Sequence, residues 1–248
     1  MNRTFRLVIV LLLVGLGRAA SAQTVDEVIE QSLTAIGGRA ALAKLKSRTT
    51  TGTITLSTPG GDIAGTVETF NTVPNKSRTV IKADLTALGA GMLVVDQRFD
   101  GTNGYIMDSL QGNRDMAGDQ LANARNSSFP SPLLNYKNLG ISAKLGGKEK
   151  VGDREAFVIT FEPTTGPVVR QYFDTETHLP LKSVISLEVP QLGTTVEQTT
   201  EVSDFRDVDG VKLPFRVRST SAVQSFVITL AKVEHNTTLD ETMFSKPK

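Results

Sequence analysis

The sequence predicts a mainly β protein of the α+β class: a long antiparallel meander that curls on itself, with two helical segments to cover its concave side. Three observations carry this. Helical periodicity is confined to two places, about twelve strand-like segments fill most of the rest, and the connections between those segments are short and rich in turn residues.

The elements follow in order. The first 22 residues have the layout of a cleaved secretory leader: basic Arg3 and Arg6, an apolar run over 7–16, and Ala20-Ser21-Ala22 before Gln23. The run is shorter than the roughly 20 residues that a spanning helix needs. A single domain is expected over 23–248. In the first helical region, over 24–46, Thr24 and Glu27 make a capping box, and Val25, Val28, Ile29, Leu33 and Ile36 recur on one face. Gly37-Gly38 ends that helix, and a short second helix over 39–46 carries Leu42 and Leu45. A second helical place spans 116–125 and runs into the irregular, proline-broken stretch 129–136.

Strands are expected over 49–58, 63–73, 77–84, 92–99, 105–109, 142–151, 156–162, 168–174, 181–189, 194–206, 212–221 and 225–235. Turn chemistry separates them, as at Pro59-Gly60-Gly61-Asp62 and Asp207 to Gly210. Short connections favour antiparallel neighbours. Phe157, Ile159 and Phe161 alternate with polar residues, as do Val211, Leu213, Phe215 and Val217, so one face is buried and the other is wet. So many strands exceed a flat open sheet and call for a half-barrel or barrel, which either packs solid or leaves an apolar cavity.

Composition removes several function classes. With no cysteine there is no disulfide, no thiol chemistry and no lipidated N-terminal cysteine, which predicts an exported, soluble chain that relies on its core. Loss of the leader takes away Arg3, Arg6 and Arg18 and no acid, lowering Lys+Arg from 27 to 24 against 26 acidic residues, a formal charge of about −2. That balance gives no drive toward nucleic acid or anionic surfaces. The two histidines, His178 and His235, stand apart, read as ordinary surface residues, and match no zinc motif. Asp96, Asp100 and Asp108 cluster around one hairpin, where turn capping and solvent-facing strand positions account for them. Gly89-Ala90-Gly91 leads into a strand, which excludes a dinucleotide fingerprint. The chain therefore reads as neither an enzyme nor a cofactor or metal protein.

The middle of the chain offers a binding surface instead. Leu93, Val95, Ile106, Leu121, Phe129, Leu133 and Leu134 come from strands and from the helical insert, and Met92, Met107 and Met116 lie among them. Methionine adapts to irregular partners, so such a set either packs as plain core or lines a cavity for acyl chains.

Several stretches resemble the outer-membrane lipoprotein-sorting (LolA/LolB-like) superfamily, more closely a periplasmic branch of it. They are Leu33-Thr34-Ala35-Ile36-Gly37-Gly38, Pro74-Asn75-Lys76-Ser77-Arg78, Phe99-Asp100-Gly101, Pro132-Leu133-Leu134-Asn135-Tyr136, Tyr172-Phe173-Asp174 through Leu179-Pro180, and Asp204-Phe205-Arg206 through Leu213-Pro214. The resemblance implies an unclosed β-barrel with the N-terminal helices and the mid-chain insert as a lid, over an apolar cavity that shields a lipid or lipoprotein acyl chain in the periplasm. Two positions depart from the pattern. Val73 stands where the true carrier has an arginine that helps hold the lid shut, and Tyr105 stands nearest to an expected tryptophan. The expected ligand set is Leu93, Val95, Ile106, Leu121, Phe129, Leu133 and Leu134. The other reading that the residues leave open is an envelope module, sensory or structural, that binds another protein.

Overall fold

The computed structural model describes residues 23–189, 193–222 and 224–247. The expected leader lies outside them.

Among the described residues one 13-stranded sheet organises the chain, and every neighbouring pair in it is antiparallel. Its first half comprises β1 (Ser47–Thr58), β2 (Gly61–Thr72), β3 (Lys76–Asp84), β4 (Met92–Phe99), β5 (Gly104–Asp108) and β6 (Arg114–Asp115). The second comprises β7 (Ser142–Val151), β8 (Arg154–Glu162), β9 (Val169–Asp174), β10 (Pro180–Val189), β11 (Thr194–Val208), β12 (Val211–Ser221) and β13 (Ser225–His235). Each half is a meander, and β1 pairs with β13 to join them, which leaves β6 and β7 as the free edges. The sheet is thus an unclosed barrel.

Twelve strands coincide with the expected ones to within a few residues. β6 is additional: it is two residues long and exists only through pairing with Tyr105 and Ile106, so no periodicity could announce it.

The helices are α1 (Val25–Ala35), α2 (Gly38–Ala43) and α3 (Gly118–Asn126). The capping box forms: Thr24 Oγ1 accepts from the Glu27 amide, and Glu27 accepts from the Thr24 amide at 2.8 Å. Glycine is required at the α1–α2 corner, because Gly37 has φ +123° and a Cβ there would lie 2.4 Å from the carbonyl oxygen of Gly210. The same corner is tied to β12 by the Lys212 amide donating to the Ile36 carbonyl. α3 starts two residues later than expected, since the Met116 amide is taken by the Gly104 carbonyl of β5.

The main core lies between the helices and one face of the sheet. Val28, Ile29 and Leu33 of α1 and Leu42 of α2 pack with Phe157, Ile159, Phe161, Phe173, Val211, Leu213 and Phe215. A smaller cluster of Ala156, Val158, Tyr172, Leu181 and Val184 occupies the opposite face of β8–β10. Alternation along each strand divides its residues between these two faces.

Candidate functional site

The inner, helix-bearing face continues into the first half of the sheet. Directly opposed residues share a face. Val95 pairs with Ile81, Ile81 with Val67, Val67 with Gly52, and Gly52 with Leu230, which packs against the helix-bearing core. Leu93 and Val95 are therefore on the inner face. Ile106, opposite Gln97, joins them and is fully buried. Val94, one residue over, points the other way.

The remaining expected residues lie on the insert between β6 and β7. Because those strands are the two free edges, the segment 116–141 bridges the open side of the barrel. Phe129 and Leu133 are buried in the main core, Leu134 packs against it, and Leu121 is half-buried on α3. Polar contacts anchor the insert at both margins. The Phe129 amide donates to the Pro74 carbonyl at 2.8 Å, Arg125 Nε to the Thr102 carbonyl at 3.0 Å, and Asn126 Nδ2 to the Thr165 carbonyl at 2.8 Å. Tyr136 Oη donates to Asp26 Oδ1 at 2.9 Å, and Lys137 Nζ reaches Asp26 Oδ2 at 2.9 Å, which ties the end of the insert to α1. Hydrogen bonding from Lys137, then from Tyr136, holds the Asp26 carboxyl below its usual range.

The structure thus places the seven residues in two sets: Leu93, Val95 and Ile106 on the strands, and Leu121, Phe129, Leu133 and Leu134 on the insert that crosses the opening. The methionines do not join them. Met92 is exposed, Met107 lines an outer-face pocket, and Met116 packs on Gly104.

Two pockets stand out among the described residues. One, of about 350 Å³, lies where Val25 and Asp26 meet Tyr136 and Ile141. The other, of about 450 Å³, lies on the outer face between Phe70, Arg78, Val80, Val94, Asp96 and Met107. Neither is lined by any of the seven. In this conformation Phe129 and Leu133 themselves fill the inner face beside the helices.

The three aspartates do not converge. Asp100 accepts from the Thr102 and Asn103 amides and Asp108 from the Leu110 and Gln111 amides, as turn capping requires. Asp96 is not solvent-facing: it is buried on the outer face between Arg78 and Arg98. Among the described residues no group of three or more His, Asp or Glu side chains is arranged to hold a metal ion.

Two residues come forward only in the structure: Arg48, and His235 as a buried side chain. Arg48 extends from the inner face of β1 to the insert, its guanidinium 5.0 Å from the Phe129 ring centre and its Nη2 donating to the Pro130 carbonyl at 3.3 Å. Its Nε has no hydrogen-bond partner among the described residues, and burial pushes its pKa down to about 10. His235 stands opposite it on β13. Its side chain is 1% exposed, which corrects the expectation of a surface histidine. Nδ1 lies 3.1 Å from Asp209 Oδ2, and Nε2 is unpartnered. Burial lowers the His235 pKa, Asp209 opposes this, and the charge of Arg48 adds to the lowering. A polar reading of β1 was available, because Arg48, Thr50, Gly52 and Ile54 alternate onto one face.

No family model and no curated protein sequence matches the chain. Solved structures do share its fold. A LolA superfamily protein from Nitrosomonas europaea superposes with a TM-score of 0.57 at 14% identity, over 91% of this chain and 99% of its own. A DUF1329 family protein from Desulfovibrio piger gives 0.58 at 12%, over 90% and 98%. A domain described as an outer membrane lipoprotein-sorting protein, from Vibrio parahaemolyticus, gives 0.55 at 11%, over 87% and 95%. The expected LolA-like architecture is therefore the observed one.

Proposed function

We propose, from the fold shared with LolA superfamily and lipoprotein-sorting structures, that this chain is an exported, non-enzymatic carrier. It holds a lipid, or the acyl part of a lipoprotein, against the inner face of its sheet and works in the periplasm as a soluble protein without a cofactor. The seven residues named above line the site. The observation that carries the reading is the insert, which joins the two free edges of the barrel and lays Phe129 and Leu133 over an apolar sheet face.

In this reading the packing of Phe129 and Leu133 into the main core is the closed conformation. Opening it means lifting side chains out of the core, and the polar anchors of the insert are each worth about 1 kcal/mol net. An acyl chain that buries a dozen methylenes gains roughly 10 kcal/mol at about 0.8 kcal/mol each, the same scale as the anchors and the re-exposed Phe129 and Leu133 side chains together. A second reading is favoured by the same packing: a filled inner face also suits a module that binds another envelope protein.

The face assignment gives a direct test. Val95→Asp places a charge on the inner face and is expected to reduce uptake of a fluorescent fatty-acyl probe by more than tenfold, with unchanged circular dichroism. Val94→Asp, one residue away on the outer face, is expected to leave uptake within about twofold of wild type. A folded Val95→Asp protein that still takes up the probe would falsify the cavity assignment.

A further inference from the structure

Arg48 and His235 are the two adjacent groups that the acyl-chain reading leaves unused. Both lie on the inner face, directly opposite each other on β1 and β13. No carboxylate among the described residues pairs with Arg48, and of its N–H groups only Nη2 donates, to the Pro130 carbonyl. Arg48 Nε and His235 Nε2 are buried without a hydrogen-bond partner among the described residues. Nδ1–H is given to Asp209, so Nε2 is the ring atom left free on the inner face, and it donates to an oxyanion once the imidazole takes up a proton, with Asp209 on the other side of the ring stabilising the cation. A guanidinium in a low-dielectric site without a counter-charge is unfavourable, and an oxyanion with two neighbouring oxygens, carboxylate or phosphate, satisfies it best because it accepts two of its N–H groups at once.

We propose that Arg48 and His235 form a head-group subsite for an anionic amphiphile, taking the carboxylate or phosphate at the end of an acyl chain. The subsite rests on the carrier reading and narrows it to anionic ligands. Inner-face geometry gives the chain its path. Thr50, Gly52 and Ile54 follow Arg48 on the same face of β1, and Val67 and Ile81 lie beside Gly52 across β2 and β3. From Arg48 to Ile54 that path is about 20 Å at the usual strand rise. Phe129, stacked on the guanidinium, stands over its start. An arriving oxyanion competes with the Pro130 carbonyl for the guanidinium, so head-group binding and release of the insert draw on the same side chain.

The test compares three probes by calorimetric titration of the purified protein: palmitate, palmityl alcohol and acetate. Wild type is expected to bind palmitate about thirtyfold more tightly than the alcohol, the scale of a charge-assisted pair. It is expected to show no measurable affinity for acetate. Arg48→Met keeps the apolar stem against Phe129 and is expected to equalise palmitate and alcohol while leaving alcohol affinity unchanged. His235→Gln, expected to narrow the preference at least threefold, carries the test if Arg48→Met does not fold. Equal binding of palmitate and alcohol by wild type would sink the head-group subsite and leave the carrier reading standing. Binding of neither would remove both. Acetate bound as tightly as palmitate would make this a site for small free anions and overturn the amphiphile.

Discussion

Asp96→Ala is expected to lower stability by about 4 kcal/mol, or about 10 °C in Tm for a chain of this size. Asp96 sits on the outer face of β4 with its side chain 5% exposed, and Arg78 and Arg98 both point at it. Arg78 makes a two-pronged contact, Nε to Oδ1 at 3.0 Å and Nη2 to Oδ2 at 2.7 Å, and Arg98 adds Nη2 to Oδ2 at 2.8 Å. Removing the carboxylate strands two largely buried cations side by side. Arg98 also donates to the Ser245 carbonyl, next to the fully buried Phe244, so the C-terminal segment loosens with it.

The pH dependence has a definite sign. Burial raises the Asp96 pKa, but the hydrogen bonds and charges of Arg78 and Arg98 outweigh it and hold the group below 3.8. A depressed folded-state pKa contributes stability that is present above the unfolded value and lost as pH falls through the folded one. Thermal unfolding should therefore show a decline below about pH 4 that is shallower in Asp96→Asn than in wild type. An Asp96→Ala protein within 1 °C of wild type would mean the triad contributes nothing.

Phe173→Ala is the second large effect, about 4 kcal/mol by loss of a buried ring and the cavity left behind. Phe173 is completely buried on the inner face of β9, opposite Phe157, under the helices. Neighbours on a 13-stranded sheet cannot close around the void, because both flanking strands are fixed by their ladders. Chemical denaturation should show the midpoint falling with an unchanged slope. A loss under 1 kcal/mol would show that the helices can settle into the space and that the core is softer than its burial implies.

The architecture was legible because each half of the chain is a meander with turn residues at nearly every break, and because one face of most strands is polar. Which residues face inward was less legible. Leu93-Val94-Val95 is an unbroken apolar run, so its parity cannot be read along the strand; pairing with Ile81 and Val67 decides it. His235 shows the opposite difficulty. Strict alternation from Phe226 through Ile228 and Leu230 would turn Lys232 and Glu234 inward. A bulge between the pairs Thr51–Lys232 and Gly52–Leu230 shifts the phase, so Val233 and His235 face inward instead. The resemblance implies a lid-holding arginine just before Pro74, where this chain has Val73. The structure reaches the insert with Arg48, which lies across from Asn71 on the neighbouring strand. These positions are set by long-range registers, and local patterning carries no record of them.

Opening of the inner face around an acyl chain is tested by native mass spectrometry of the protein purified from a periplasm without detergent, followed by solvent extraction of whatever is bound. The expected result is a stoichiometric lipid or acylated peptide that leaves with organic solvent. An empty protein that also fails to take up a fluorescent fatty-acyl probe would contradict it and shift the assignment to a protein-binding envelope module.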